Sequence, residues 1–192
     1  MRYSLKITHH RINNALAVLV IGVSLYALFI PFIPMLDYWL ASRGDAQGQI
    51  SRQLYAATPE ESHNALLIPS ILVDEPIVTG DSIGVINDGG IWLRPMSQEP
   101  DGSGNVILAG HRFTYQNPNG PLYHLDKVSI GDEIGVRWEG SMRRYEVTTI
   151  ETVGPHETRI EQPTEHHQLT IYTCTPLLTA DKRLVVTARE VL

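Results

Sequence analysis

Hydrophobic and polar positions divide this chain into three stretches. Residues 15–34 (ALAVLVIGVSLYALFIPFIP) hold no charged side chain, and 20 residues rising about 1.5 Å each make roughly 30 Å, the thickness of a bilayer's hydrocarbon core. A transmembrane helix is predicted over 15–36, with Pro31 and Pro34 bending or ending it near its outer side. A cleaved signal peptide has a shorter apolar core, roughly 7 to 15 residues, and a small-residue cleavage site; this run is longer and no clear Ala-x-Ala follows it. Residues 37–64 are polar and mixed with a weak helical period, the pattern of a linker that is helical in part. Beyond them come short β-rich runs punctuated by Gly, Pro, Asn and Asp. Strands are predicted over 66–73, 76–79, 105–109, 132–138, 143–152, 168–174 and 183–189, with a short extra strand at 82–86 and a short helix at 121–126. Such a series is that of an all-β sandwich or barrel.

Charge then gives the first stretch a direction. Arg2, Lys6 and Arg11 precede the apolar run, and the first 36 residues contain no acid. The positive-inside rule therefore puts residues 1–14 in the cytoplasm and everything from 37 onward outside, with Tyr38 and Trp39 as interfacial anchors. The remainder carries 12 of the 15 basic residues against all 21 acidic ones, so the body is acidic and a nucleic-acid partner is excluded. A chain of 192 residues accommodates one ordinary domain with an accessory segment. The boundaries follow as a cytoplasmic N-terminus 1–14, a signal-anchor 15–36, an extracellular linker 37–64 and one domain over 65–192.

The candidate chemistry centres on Cys174, the one cysteine in the chain. A lone thiol forms no intramolecular disulfide and packs most often as a small hydrophobe, but this one ends the strand-like run Leu169-Thr170-Ile171-Tyr172-Thr173-Cys174. Period-two alternation places Thr170, Tyr172 and Cys174 on one face and Leu169, Ile171 and Thr173 on the other. If residues 175–182 form a loop closing an antiparallel pair, Cys174 lies opposite Arg183, while Leu169 and Ile171 share a face with Ala188 and Val186. A slip of one residue would destroy both coincidences, which makes this the preferred register. A guanidinium beside a thiol holds a carbonyl or an oxyanion and favours the thiolate. His111 follows the apolar run 105–109 and a glycine, a strand-end position where β scaffolds build sites. Glu165, His166 and His167 adjoin in sequence, but no His-Glu-x-x-His or cysteine pair supports a metal centre.

These residues resemble the sortases, membrane-anchored cysteine transpeptidases of bacterial cell envelopes. The family signature Thr-Leu-x-Thr-Cys is matched by Thr170-Ile171-Tyr172-Thr173-Cys174, with Ile in place of Leu. Its histidine strand is matched by the run from Gly104 to Arg112 through His111, and its arginine by Arg183 in Asp181-Lys182-Arg183-Leu184. The likeness covers roughly residues 65 to 190. It implies a mainly β fold, a closed eight-stranded β-barrel with short helices behind one N-terminal transmembrane helix. It also implies Cys174 as nucleophile, His111 as acid/base, Arg183 as substrate and oxyanion clamp, and Thr173 as a lining residue that binds substrate.

The implied reaction cleaves an LPxTG-like sorting motif of surface proteins between Thr and Gly through a thioacyl intermediate. The acyl group then passes to an amine of the cell envelope, such as a peptidoglycan precursor. In this picture a neighbouring imidazolium and guanidinium raise the thiolate fraction of a thiol that ordinarily titrates near pH 8.5. No cofactor or metal is expected, and calcium activation has no support beyond scattered acids such as Asp81, Glu99 and Asp101. A housekeeping or class E-like role is expected over pilin polymerisation, since no second span follows and no Asp-Pro-aromatic run precedes the barrel. The alternatives are a cysteine hydrolase without transfer, a pilin-polymerising sortase, and a catalytically silent sortase-fold binding domain.

Overall fold

A computed structural model describes residues 9–56, 63–87, 89–114 and 116–191. Residues 1–8, with Arg2 and Lys6 of the expected cytoplasmic end, and the 57–62 part of the linker lie outside the described residues.

Among the described residues, eight strands close into a barrel. They are β1 (Ala65–Ile68), β2 (Val73–Val78), β3 (Ile91–Leu93), β4 (Asn105–Ala109), β5 (Glu133–Trp138), β6 (Ser141–Val153), β7 (Gln168–Thr175) and β8 (Lys182–Val191). The order around the barrel is β1-β2-β3-β4-β7-β8-β6-β5, with β2/β3 and β4/β7 parallel and the remaining neighbours antiparallel. Alternate positions fill the interior: Leu66 and Ile68, Val106 and Leu108, Leu169 and Ile171, Val186 and Ala188 all belong to one buried cluster.

Three local expectations are corrected. The run 66–73 is two strands, because Pro69 opens a 3-10 turn over Pro69–Ile71 and Leu72 adopts a φ of 59°, reversing the chain so that Val73 pairs with Ile68. The stretch expected as a strand at 82–86 is a 3-10 turn, Ile83–Ile86, which buries Ile86 against Trp92 and Ala109. The helix expected at 121–126 is a series of turns ending in a 3-10 turn at Leu125–Lys127. The three-residue β3 is too short for alternation to reveal.

Outside the barrel, a helix over Ala46–Leu54 covers β1 and β5. Ile50 and Leu54 pack there on Ala65 and Leu67, so all four residues of β1 are buried, two toward each side. Gly135 permits the approach, since a Cβ there would meet Leu54 Cδ1 at 2.2 Å. The buried Arg137 fastens the same face, with Nη1 donating to Gln53 Oε1 at 3.0 Å and Nε to the His63 carbonyl at 2.9 Å.

The apolar N-terminal stretch is helical beyond its expected bounds: α1 (His9–Phe29), a 3-10 turn at Ile30–Phe32 carrying Pro31, and α2 (Ile33–Ala41). Residues His10–Ala41 form one segment of 32 residues, long and apolar enough to cross a membrane. Trp39 is exposed, whereas Tyr38 turns onto the barrel: its ring lies 4.3 Å from that of His124 and its hydroxyl donates to the Ser70 carbonyl at 3.2 Å.

Candidate active site

Strand β7 delivers Cys174 and β8 delivers Arg183 directly opposite it, within a ladder that also pairs Leu169 with Ala188 and Ile171 with Val186. Strand β4 runs parallel to β7, pairing Ala109 with Tyr172, so the residues that follow β4 emerge beside the end of β7. His111 is placed in this way. His111, Cys174 and Arg183 line one cleft of about 500 Å³, together with Trp92, Tyr172 and Thr173 among others.

The three side chains differ in how far the fold commits them. Arg183 Nη1 donates to the carbonyls of Lys182 and Ala180, at 2.9 and 3.2 Å. Both bonds use one nitrogen, and Nε and Nη2 have no hydrogen-bond partner among the described residues. Cys174 is half-buried. The His111 ring has no hydrogen-bond partner among the described residues, and burial lowers its pKa from the ordinary 6.5. Burial thus favours the neutral imidazole, the form that can accept a proton.

Thr173 lines the cleft but is almost fully buried, and its Oγ1 donates to the Gly110 carbonyl at 2.8 Å. Its visible work is to pin the turn that carries His111 to the strand that carries Cys174. Arg112 strengthens the same junction. Its Nη1 donates to Thr175 Oγ1 at 2.9 Å, its Nε to the Tyr123 carbonyl at 3.1 Å, and its Nη2 pairs with Asp126 at 2.9 Å. In the sequence Arg112 was only a neighbour of His111.

Gly120 is a second residue whose role the sequence concealed. A Cβ at this position would lie 2.5 Å from the Arg112 carbonyl oxygen and 2.6 Å from that of His111, so any side chain must displace the backbone that presents the imidazole. Gly120→Ala is expected to lower kcat about 10- to 100-fold, since misplacement by about 1 Å costs on this scale. Steady-state kinetics beside a thermal melt would check it; an unchanged kcat in a folded variant would refute the packing argument.

One wall of the cleft comes from the β6–β7 connection, where Pro155, His156, Glu157, Thr158, Ile160 and Glu161 face the opening. Two anchors hold it. The buried Asn105 Nδ2 donates to the carbonyls of Ile160 and Gln162 at 3.2 and 3.0 Å, while its Oδ1 accepts from Thr170 Oγ1 at 2.7 Å. Glu161 accepts from Arg94 Nε at 2.7 Å and from the Tyr172 hydroxyl at 2.6 Å. Burial alone would raise the Glu161 pKa, but the hydrogen bonds from Arg94 and Tyr172 outweigh it and keep the carboxyl below its usual range. His167 belongs elsewhere, its Nε2 lying 2.7 Å from the buried Tyr145 hydroxyl.

The arrangement brings a thiol, an imidazole and a guanidinium to one cleft, groups of the kinds that acyl transfer through a thioester uses. Comparison with known proteins agrees in kind. The family model described as "Sortase domain" matches residues 66–191, well over half of the chain. Among solved structures, sortase A from Corynebacterium diphtheriae (a lid mutant) is 28% identical with a TM-score of 0.62, over 73% of this chain and 75% of that one. Sortase C1 from Streptococcus agalactiae is 28% identical with a TM-score of 0.62, over 76% and 75% of the two chains. Sortase C-1 from Actinomyces oris is 27% identical with a TM-score of 0.62, over 76% and 82%. No curated protein matches the chain.

Proposed function

The chain belongs to the sortase family, and from that membership we propose that it is a membrane-anchored cysteine transpeptidase acting on LPxTG-like sorting motifs. The observation that carries this reading is the strand register that pairs Cys174 with Arg183 in the cleft that His111 also lines.

The chemistry follows from the groups present. Cys174 Sγ attacks the carbonyl carbon of the motif's threonine as its proton passes to the neutral His111 imidazole. The carbonyl oxygen gains negative charge in the tetrahedral intermediate, and the free donors of Arg183 stabilise it there. His111 then gives its proton to the departing glycine nitrogen, and the C–N bond breaks to leave a thioester on Cys174. An incoming amine of the cell envelope attacks that thioester, its proton passes to His111, and C–S cleavage restores the thiol while a new amide forms. These steps consume no redox equivalent and call for no cofactor. The apolar segment His10–Ala41 supports a single membrane span, and Arg2, Lys6 and Arg11 ahead of it support a cytoplasmic N-terminus with the barrel outside.

The test uses the purified full chain in detergent micelles with a peptide containing Leu-Pro-x-Thr-Gly and a primary-amine acceptor. Acyl transfer to the amine, seen by mass spectrometry, is the expected product. Hydrolysed peptide alone would replace the proposal by a hydrolase, and an unreacted peptide across a panel of motif variants would favour a silent barrel. Arg183→Lys keeps the positive charge but loses the planar set of donors, so kcat/KM is expected to fall about 10²- to 10³-fold. Activity within a factor of two or so of the parent would mean that charge alone is needed.

A further inference from the structure

The barrel is fastened to the outer end of the apolar helix by a continuous set of contacts. Tyr123 donates its hydroxyl to the Pro31 carbonyl at 2.6 Å, His124 Nε2 lies 3.3 Å from the Pro34 carbonyl oxygen, and Asn119 Nδ2 donates to Asp37 Oδ2 at 3.1 Å. Tyr38 sits at the centre, with its ring against His124, the Lys127 ammonium 3.8 Å from its ring centroid, and its hydroxyl on Ser70. Pro34, Tyr38 and Ala41, spaced four and three residues apart, thus form the face of α2 turned to the barrel.

The other face is apolar and uncovered. Phe32, Ile33, Met35, Leu36, Trp39 and Leu40 are each 42 to 58% exposed. Resting on the membrane-span reading above, we propose that this face is occupied by the lipid of the outer leaflet, so that α2 is a seat holding the barrel against the bilayer surface rather than a free tether. Length favours lipid over a protein partner. The uncharged run 15–34 rises about 30 Å and fills the hydrocarbon core, and barrel contacts begin at its outer edge, at Ile30 and Pro31. The whole apolar segment of 32 residues rises about 48 Å, close to the roughly 40–45 Å that include the headgroup zones. On the outer side the part left for the headgroup zone is α2 from Met35 onward, continuous with the span. At its outer end the Arg43 guanidinium stacks 3.5 Å from the Trp39 ring centroid, an apolar ring with a charged tip as interfacial residues present.

The seat reaches the chemistry through Arg112, which joins Tyr123 and Asp126 on the docked loop to Thr175 beside the nucleophile.

Tryptophan fluorescence tests the proposal on the full chain reconstituted in phosphatidylglycerol/phosphatidylcholine vesicles. Trp138 is buried in the barrel core and Trp92 is buried in the wall of the cleft, so lipids brominated on their acyl chains are expected to quench Trp39, and the quenched fraction is expected to vanish in Trp39→Phe. In Tyr38→Ala the amides of residues 120–127 are expected to lose protection from hydrogen exchange, while Trp39 stays quenched by lipid. A chain that does not float with the vesicles overturns the membrane span and the seat together. If it floats but aqueous iodide rather than bromolipid quenches Trp39, the seat alone is overturned. Unchanged protection in Tyr38→Ala likewise refutes the docking while leaving the span standing.

Discussion

Replacing Cys174 by alanine is expected to abolish transfer, lowering kcat/KM by about four or more orders of magnitude, toward the uncatalysed rate. The reason is covalent: without Sγ no thioester can form, and Arg183 and His111 have no intermediate to stabilise or protonate. The fold should tolerate the change. Cys174 is half-buried near the end of β7, its ladder pairing to Arg183 is made by backbone, and loss of one sulfur at an open cleft costs about 1 kcal/mol or less. A thermal melt close to the parent, with no acyl adduct in the intact mass, is the expected pair of results. Residual transfer above a few per cent in a pure sample would remove Cys174 from the nucleophile's role. Cys174→Ser should fare little better, since a hydroxyl ionises far less readily than a thiol and the imidazole nearby is only a weak base.

The register behind this prediction was legible because two independent requirements had one solution. Pairing Leu169 and Ile171 with Ala188 and Val186 buries one apolar set, and the same register sets Cys174 opposite Arg183, as the ladder does. Strand β4 was equally clear: Asn105 and four apolar residues after it, flanked by Gly104 and Gly110, have the bounds of Asn105–Ala109. By contrast, the 66–73 run looked continuous because all its residues but Pro69 and Ser70 are aliphatic, although proline's fixed φ and the left-handed Leu72 turn the chain there.

What the sequence concealed is largely what depends on distant partners. Arg94 and Glu161 lie 67 positions apart, and only barrel closure makes the latter a fastening of the cleft wall. Gly120, in an Asn-Gly pair, has the appearance of an ordinary turn glycine; its actual constraint is the His111–Arg112 backbone beside it. Tyr38 has the composition of an interfacial residue, yet its ring is claimed by His124 and Lys127. Periodicity reports which face of an element is buried, and it says little about which remote side chain does the burying.

Removal of the His111 imidazole separates proton transfer from nucleophilic attack. His111→Ala is expected to cost about 10²- to 10⁴-fold in kcat/KM, the usual worth of a positioned acid/base, while leaving the thiol able to react slowly with a small alkylating probe. The parent's pH profile carries a sharper expectation. Burial lowers the His111 pKa from 6.5, so the imidazole stays neutral as pH falls toward that value and takes up its proton only below it. Once both thiol and imidazole are protonated, no group can accept the thiol's proton, and activity falls. The acid limb of kcat/KM should therefore have its midpoint below pH 6.5, and His111→Ala should lose that limb along with most of its rate. A parent profile whose acid limb lies above pH 6.5, or a variant that keeps the limb unchanged, would assign the titration to another group and leave His111 without its proposed part in proton transfer.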